Sequence, residues 1–383
     1  MKYQKRKPRL LIVGAFPGKN SKIYGGIVTT CQLLLNSELS NQFELLLIDS
    51  TQIRNPPPIF LIRLYLAIKR FYRYLKMLFS SSPDAVLLFT STGASAFEKG
   101  IMARFARSRG IPALLFPRGE VLINSNKDTL LMKILMKFAM SGGTHLLCQG
   151  AAWQKFAINT VGFKKENSPI IYNWSATSKL LKIGTERDFS LANSRINIVF
   201  IGWLEKEKGV FELLDACKKL AIQHKFILSI AGRGSSEKAA RTFVYDNDLE
   251  DYVRFIGWIQ GNQKDDLLKT ADILVLPSWY EGFPNVVIEA MSAKVAVIVS
   301  AVGNVQSILD DRVHALLIPP KSVEAIMTAL SELISRPNFR IKIGTNGYEF
   351  AKKNFSTELG ILNLISIINN AIGNLQHSKN SHV

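Results

Sequence analysis

The sequence has few cysteines and no long apolar run. Its three cysteines, Cys31, Cys148 and Cys217, lie far apart and lack the spacing of metal ligands. This argues against a disulfide framework and is typical of a reducing compartment. No apolar run reaches the roughly 18 residues that a membrane-spanning helix needs. The apolar stretch after the basic N-terminus, Leu10 to Val13, is too short for a signal peptide and predicts a first strand.

The charge of the chain is large but unevenly distributed. The 383 residues predict two domains, and their net charge is +18. Residues 1–172 hold 24 Lys and Arg against 8 Asp and Glu, which gives +16, and residues 173–383 hold 24 against 22, which gives +2. A strongly basic half favours an anionic partner, which could be nucleic acid, a membrane surface or a phosphorylated substrate.

Apolar runs alternate with helical patterns along the whole chain. Strands with few polar residues, separated by helices, indicate parallel sheets covered on both faces. The predicted strands are Leu10–Val13, Phe43–Ile48, Ala85–Phe89, Ala113–Phe116, His145–Cys148, Pro169–Ile171, Ile196–Ile201, Phe226–Ala231, Val253–Ile256, Ile273–Leu276, Val295–Val299 and Ala315–Ile318.

These strands form two α/β sets, which predict two Rossmann-like, doubly wound domains. We expect a first domain over residues 1–172 and a second over 173–354. Residues 355–383 would form a C-terminal helix with a polar tail. This helix could cross back to the first domain, or it could cover the sheet of its own domain.

Glu281 and Glu289 frame a segment that reads as strand, loop and helix. A buried strand, Ile273–Leu276, ends in a polar turn, where Gly282 allows close approach of the backbone to a ligand. Pro284 stands where a first helical residue would, so the next three amides would form an anion site together with the helix dipole. The two carboxylates could therefore bracket a ligand whose phosphate rests on the helix end.

Three segments of the chain carry a family resemblance. The Glu281–Glu289 frame resembles the Glu-x7-Glu motif of the family 4 retaining glycosyltransferases, also called glycosyl transferases group 1, which have the GT-B fold. Phe200–Gly209 resembles the family's Gly-Arg-Leu…Lys-Gly segment, and Tyr24-Gly25-Gly26 resembles its Gly-Gly turn. The resemblance implies two domains facing a central cleft, with the acceptor bound by the first and a nucleoside diphosphate sugar by the second.

The resemblance also implies roles for individual residues. Glu281 would hold the transferred sugar and Glu289 the ribose, since an ionised carboxylate accepts several hydroxyl bonds. Lys208 would neutralise the charge that develops on the leaving diphosphate. The further ligand contacts would come from Gly25, Gly26, Trp203, Ile259, Gly282, Phe283, Pro284, Asn285 and Val286.

Trp203 is a departure from the family pattern, because it occupies the position where the family usually has a second cation. Lys206 or Arg233 could replace that cation, or the indole could pack on the ligand. Reduced or absent activity is a third interpretation.

Arg118 follows a predicted strand in a setting where many family members have a histidine near the anomeric carbon. An arginine stays charged and could bind a phosphate or a sugar oxygen, but it could not act as a base. We therefore propose no general base. In the family's retaining chemistry, the leaving phosphate is thought to take the proton of the acceptor on the same face.

A helical pattern over Ile59–Phe79 combines aromatic and basic residues. Arg63, Arg70, Arg73 and Lys76 fall roughly along one side. Such a helix is typical of an anionic membrane interface, although a core helix with one solvated basic face has the same pattern. The +16 of the first half favours the membrane.

Together these observations predict a retaining hexosyltransferase that passes a sugar to a saccharide acceptor, lipid-linked, in cell-surface polysaccharide synthesis such as that of lipopolysaccharide or O-antigen. We expect a cytoplasmic protein, peripheral at the inner face of the membrane. We expect neither metal nor cofactor, because Asp246-Asn247-Asp248 does not have the setting of a metal-binding Asp-x-Asp motif.

Two rival interpretations remain at this stage. A catalytically weak GT-B protein could bind a sugar nucleotide and act as an assembly partner. A nucleic-acid-binding protein has only the charge in its favour, since no nucleic-acid motif accompanies it.

Overall fold

The computed structural model describes residues 6–18, 25–52, 58–91, 93–118, 130–189 and 195–380, with the side chains of 130–133 and 375–380 left out. The chain divides into two compact units. The first is Met1–Trp174 with Glu358–Val383, and the second is Ser175–Thr357. The sequence-based boundaries after residues 172 and 354 lie close to this division.

The first unit is built on a five-stranded parallel sheet in the order β2-β1-β3-β4-β5. Its strands are almost continuous apolar runs, as expected for a sheet buried on both faces. They are β1 (Arg9–Gly14), β2 (Glu44–Asp49), β3 (Ala85–Thr90), β4 (Ala113–Pro117) and β5 (His145–Leu146).

Helices cover both faces of this sheet. They are α1 (Gly26–Leu35), α2 (Leu39–Gln42), α3 (Phe60–Ser80), α4 (Ala94–Ser108), α5 (Leu130–Met140) and α6 (Ala151–Phe156), with the C-terminal α15 (Thr357–Asn380). One apolar core joins the sheet to α1, α2 and α15, and a second joins its other face to α3, α4, α5 and α6.

The second unit contains a six-stranded parallel sheet in the order β11-β10-β9-β6-β7-β8. The strands are β6 (Ile196–Ile201), β7 (Phe226–Ala231), β8 (Val253–Gly257), β9 (Ile273–Leu276), β10 (Ala296–Ser300) and β11 (Leu316–Ile318). The helices are α7 (Ser178–Thr185), α8 (Val210–Leu220), α9 (Glu237–Asp246), α10 (Asn262–Thr270), α11 (Asn285–Ser292), α12 (Val305–Ile308), α13 (Val323–Ser335) and α14 (Pro337–Asn354).

Most of the predicted strands form, but the end of the first half was misjudged. Pro169–Ile171 is not a strand, because Ile170 makes only an isolated parallel bridge to Cys148. The predicted strand His145–Cys148 is also shorter and ends at Leu146. An apolar tripeptide that begins with proline lacks one backbone donor, which limits how far it can extend a ladder.

The C-terminal helix α15 belongs to the first unit, although the chain reaches it from the second. Ile361, Leu364 and Ile368 are buried in the same core as β1 and α1. Gly360 lies against the Trp174 side chain, where a β-carbon would come within 2.7 Å of the indole's Cβ. Of the two placements left open by the sequence, this is the crossing one.

Candidate active site

The strand order of the second unit changes direction between β6 and β9. Numbering runs outward from this pair, through β7 and β8 on one side and β10 and β11 on the other. In open parallel sheets, ligands bind beyond the carboxyl ends of the strands at such a switch point. The loop after β6 carries Lys208, and the loop after β9 carries Glu281. The topology thus brings two predicted site residues to the favoured edge of the sheet.

The loop between β9 and α11 is braced by its neighbours. The Trp279 amide donates to the Glu207 carbonyl at 2.8 Å. Gly209 adopts φ +73°, and a β-carbon there would lie 2.2 Å from the Pro277 carbonyl oxygen. Gly303 is similarly confined, since its β-carbon would fall 1.7 Å from the carbonyl oxygen of Glu281. Glycines therefore allow three loops to pack at van der Waals distance and fix the backbone of Glu281.

The Glu281 carboxylate is the centre of a small polar cluster. Its Oε1 accepts a hydrogen bond from Lys208 Nζ at 2.5 Å and another from the hydroxyl of Ser278 at 3.0 Å. Ser278 is fully buried, and the charged pair is only partly exposed. Neither bond uses Oε2. Because Lys208 neutralises it, Glu281 can lie beside a ligand that is itself anionic.

Helix α11 begins directly after this cluster, one residue later than expected. Pro284 is the N-cap, with φ −74° and ψ 130°, so Asn285 is the first helical residue and the prediction of Pro284 as that residue was wrong. The Val287 amide is occupied by a tight turn bond to the Pro284 carbonyl at 3.2 Å. The Phe283 ring is buried against Phe355, with 5.2 Å between centroids. Phe283 therefore anchors the turn.

Glu289 lies on the first turn and a half of α11 and is 4% exposed. Its Oε1 accepts a hydrogen bond from Lys264 Nζ of α10 at 2.6 Å. A carboxylate this deeply buried requires a paired charge, and Lys264 supplies it. The predicted relation of the two glutamates is as expected, with Glu281 before the helix and Glu289 inside it.

Trp203 packs against Trp258, with 4.8 Å between ring centroids and an interplanar angle of 42°. It contributes an aromatic surface where the family pattern has a cation. Of the two cations considered as replacements, Lys206 lies over the Trp279 ring at 5.7 Å. Arg233 is exposed, and its carbonyl accepts the Leu204 amide at 2.9 Å. In the described part of the chain, neither side chain forms a hydrogen bond or ion pair with Glu281.

Ile259 follows β8 and is half-buried in the loop before α10. The same loop contributes Trp258, and its first residue, Gly257, adopts φ +75°. Gly257 also accepts the Gly232 amide at 2.8 Å, which ties the ends of β7 and β8 together. Ile259 therefore lies on the same carboxyl edge of the sheet as Lys208 and Glu281.

Gly25, Gly26 and Arg118 belong to the first unit. Gly25 is the N-cap of α1 with φ +149°, a conformation that favours glycine, and Gly26 is the first helical residue. Tyr24 of the predicted turn lies outside the described residues. The Thr30 hydroxyl, one turn into α1, donates a hydrogen bond to the Gly26 carbonyl at 2.9 Å. The same hydroxyl accepts a hydrogen bond from Arg118 NH2 at 2.8 Å.

Arg118 is 8% exposed, and among the described residues its NH1 has no hydrogen-bond partner. Burial lowers the pKa of Arg118 from its ordinary value to about 10, so the group is still a cation at neutral pH. The Phe116 ring lies 5.0 Å away and the Trp174 ring 5.7 Å. A buried cation that pairs with no carboxylate among the described residues is an unusual arrangement, and an anion bound there would relieve it.

Ser278, Lys264 and Thr30 were missed by sequence reasoning. Ser278 lies three residues before Glu281 in the same loop, so its bond to that carboxylate could have been anticipated. Lys264 is 25 residues from Glu289, and Thr30 is 88 residues from Arg118. No local pattern in the sequence marks either pair.

Within the part of the chain that the structure describes, no group of His, Cys, Asp and Glu side chains has the arrangement of a metal site. The described helices likewise include none that is both long and apolar enough to cross a bilayer.

Residues 184–350 match the family model described as glycosyl transferases group 1. The matched segment contains Lys208, Glu281 and Glu289, and it corresponds closely to the second unit. This segment is similar to glycosyl transferases group 1. The predicted resemblance to glycosyl transferases group 1 is confirmed for this segment, whereas family 4 and retaining chemistry stay predictions.

Two curated relatives align with less than half of the chain. An uncharacterized glycosyltransferase of Methanocaldococcus jannaschii is 31% identical over 175 residues, which cover 46% of this chain and 45% of the relative. O-antigen chain mannosyltransferase B of Escherichia coli is 28% identical over 163 residues, 42% of each chain. The chain thus spans less than half the length of both relatives.

The fold of the whole chain is that of GT-B glycosyltransferases. Anabaena HepE, solved in complex with UDP and glucose, superposes with a TM-score of 0.69 at 16% identity, covering 95% of this chain and all of HepE. The predicted fold class is therefore confirmed.

Proposed function

We propose that this chain is a retaining glycosyltransferase that moves a sugar from a nucleoside diphosphate sugar to a saccharide acceptor. The observation that carries the proposal is the bond between Lys208 and Glu281 at the switch point, directly before α11. The group 1 family match and the nucleotide and sugar bound by HepE support the ligand class.

The diphosphate would lie between Lys208 and the start of α11. A helix start carries a partial positive charge from its dipole, and Lys208 adds a full one. During transfer the bond from the anomeric carbon to the phosphate oxygen breaks, and negative charge accumulates on the leaving group. Preorganised positive groups at this position stabilise the transition state more than the ground state. We propose that they replace a metal, so a chelator should leave transfer intact.

Glu281 would hold the transferred sugar. Its Oε1 is fixed by Lys208 and Ser278, whereas Oε2 makes neither of those bonds and is available for a sugar hydroxyl. A new bond then forms between the anomeric carbon and the acceptor oxygen on the face that the phosphate leaves. The acceptor's proton passes to an oxygen of the leaving diphosphate, so no side-chain base is needed.

Glu289 would accept hydrogen bonds from the ribose hydroxyls, and Lys264 would hold the Glu289 carboxylate in position. Trp203 and Ile259 are proposed as apolar contacts of the nucleotide. In the first unit, Gly25, Gly26 and Arg118 are proposed to bind a phosphate or sugar oxygen, supported by the burial of Arg118, whose NH1 has no hydrogen-bond partner among the described residues.

The acceptor is proposed to be a lipid-linked saccharide of a cell-surface polysaccharide. Support comes from the E. coli relative, which is named for O-antigen chain synthesis. The alternative of a catalytically weak binding protein is favoured by one observation, the Trp203–Trp258 contact at the position of the expected cation.

A purified-protein assay separates these two functions. The protein is incubated with candidate nucleotide sugars and a lipid extract, and the release of nucleoside diphosphate is followed. Turnover, with a product whose anomeric proton coupling matches the donor, supports the retaining enzyme. Tight binding of a nucleotide sugar without turnover supports the binding protein, and an inverted product contradicts the retaining mechanism.

A further inference from the structure

Helix α3 of the first unit has an outer face that is apolar and exposed. Leu61 is 70% exposed, Tyr65 62%, Ile68 61% and Tyr72 68%. These residues recur at helical spacing and form one stripe along the helix. Phe60 and Phe79, near the two ends of the stripe, are also exposed. Scattered exposed apolar side chains are normal in soluble proteins, but a continuous stripe marks an interaction surface.

The exposure is not the result of a poorly attached helix. On the opposite side, Tyr74 and Leu78 are buried, and the Tyr74 hydroxyl donates to the Met102 carbonyl of α4 at 2.7 Å. Arg70 makes two bonds to Glu98, at 2.7 and 2.8 Å. Arg70 is therefore held against α4 by Glu98 and, unlike Arg63, is not an exposed cation. The helix is docked firmly and still leaves its apolar stripe outside.

The apolar surface continues over the neighbouring helices. On α4, Phe97 and Phe105 are exposed by 40% each. On α5, Ile134 and Phe138 are exposed by 55% and 46%. Ring contacts link the helices, because Phe71 of α3 lies 5.5 Å from Phe105, and Phe97 lies 6.0 Å from Phe138. We call the exposed apolar residues of α3, α4 and α5 the apolar face.

Cations surround the apolar face. Arg104 lies over the Phe138 ring at 4.0 Å, and Arg109 lies over the Phe79 ring at 4.7 Å. The exposed basic residues of the three helices are Arg63, Lys69, Arg73, Lys76, Arg107 and Lys137. Glu98 is the one acidic residue in the sequences of these helices, and it is paired with Arg70 and Lys99. The face therefore carries positive charge that nothing within it balances.

We propose that the apolar face docks on the surface of an anionic lipid bilayer. The apolar stripe would enter the boundary between headgroups and acyl chains, while the surrounding cations contact anionic headgroups. A second copy of the chain would bring the same positive charge against itself, which is unfavourable. Nucleic acid would satisfy the cations but would not bury the aliphatic residues. Docking would give the enzyme access to a lipid-linked acceptor, and only this purpose of the docking rests on the proposed function.

Vesicle flotation tests this surface. The full chain is mixed with vesicles of phosphatidylcholine containing about a third phosphatidylglycerol, and with vesicles of phosphatidylcholine alone. We expect flotation with the anionic vesicles and little with the neutral ones. The triple variant Leu61→Ser, Tyr65→Ser, Ile68→Ser should lose flotation, since it removes the stripe without touching the core. The triple variant Arg63→Gln, Lys69→Gln, Arg73→Gln should lower the partition coefficient by about fivefold for each charge.

Matched controls come from the second unit. Ile222 and Tyr245 are 85% and 73% exposed and do not belong to the apolar face, so Ile222→Ser with Tyr245→Ser should float like the wild type. The charge control is Lys218→Gln, Arg254→Gln, Lys353→Gln, at three exposed positions. Equal flotation of the stripe variant and its control would overturn the proposal. So would absence of flotation by the wild type.

A second measurement separates the possible causes of failure. If the wild type does not float but forms a dimer in sedimentation velocity that the stripe variant abolishes, the face is an interface between copies, and the membrane proposal is wrong. The stripe variant should retain the thermal stabilisation by UDP or GDP shown by the wild type. Absence of thermal stabilisation of the wild type by both UDP and GDP would count against the proposed function, whereas flotation tests the membrane surface alone.

Discussion

The loops at the β6–β9 edge of the second unit and the outer face of α3 in the first unit both contain basic side chains, but the two regions differ in how these charges are paired and exposed. At the loops and the helices that follow them, lysines are paired with glutamates, as Lys208 is with Glu281 and Lys264 of α10 with Glu289 of α11. On α3, Arg63, Lys69 and Arg73 are exposed, and between them so are Leu64, Tyr65, Ile68 and Tyr72.

This difference separates two kinds of function. Paired charges around a buried loop can hold one small ligand in a fixed geometry, because the groups are already oriented when it arrives. Unpaired cations beside exposed apolar residues suit a broad and fluid partner. The near-neutral half of the chain therefore carries the proposed chemistry, and the +16 half carries the proposed docking.

The largest effect is expected from Glu281→Ala. Loss of the carboxylate removes the proposed sugar contact and leaves Lys208 without its partner, so transfer should fall by about 10³-fold or more. The fold should persist, because the loop backbone is braced through Gly209 and Gly303. Turnover is measured beside the melting temperature. Glu207→Ala is the control, since the exposed Glu207 contributes only its carbonyl to the loop. Near-normal turnover by Glu281→Ala would refute the assigned role.

Lys208→Met should reduce kcat/KM by about 10²- to 10³-fold, because the developing diphosphate charge loses a fixed cation. Lys206→Met is the matched control two residues away, where the ammonium faces the Trp279 ring. We expect the control to stay within a few-fold of the wild type. If both variants lose activity equally, Lys206 supplies the second cation that the family has at the position of Trp203. The contrast between Lys208 and Lys206 would then be wrong.

Lys264→Met tests the pairing deeper in the site. Glu289 would be left as a buried and uncompensated carboxylate, so the free energy of unfolding should fall by about 3 kcal/mol. Lys179→Met is the control, since Lys179 of α7 pairs with Asp265 of α10 from a half-exposed position and its loss should cost less than about 1 kcal/mol. Urea unfolding measures both. Equal losses would show that Glu289 does not depend on Lys264.

The smallest effect concerns the inner side of α3 and α4. Burial lowers the pKa of Lys99 to about 8, although Glu98 opposes the shift. Between pH 8 and the ordinary lysine pKa of about 10.4, the unfolded chain therefore binds more protons than the folded one, and the stability contribution of Lys99 rises with pH. Lys99→Met should lack this rise, unlike Lys69→Met at an exposed position. The free energy of unfolding of both variants is measured in urea at pH 7.5 and at pH 9.5. The same change between the two pH values in Lys99→Met and Lys69→Met would contradict the burial argument.

Much of the fold could be predicted because buried parallel strands are continuous apolar runs. Ile196–Ile201, Phe226–Ala231 and Ile273–Leu276 were predicted with the bounds that the structure gives. Pro169–Ile171 failed because three apolar residues do not specify a ladder. Pro284 was misplaced by one residue because proline is tolerated both before and at the first position of a helix.

The candidate site could be predicted only where its residues lie close in sequence. The spacing of Glu281 and Glu289 fixes one before α11 and the other inside it, and both follow from a local helix pattern. The partners of these glutamates depend on which strands become neighbours, and the sequence does not determine that. The inward direction of Arg70 also depended on a partner, Glu98 on another helix.

The central claim is that a diphosphate docks where Lys208 meets the start of α11. Isothermal titration of the wild type and Lys208→Met with UDP, uridine, GDP and guanosine tests it most directly. For the wild type we expect one diphosphate to bind at least about tenfold more tightly than its nucleoside, and for Lys208→Met we expect most of that preference to disappear. Equal preference in both proteins, or no binding of either diphosphate to the wild type, would contradict the account.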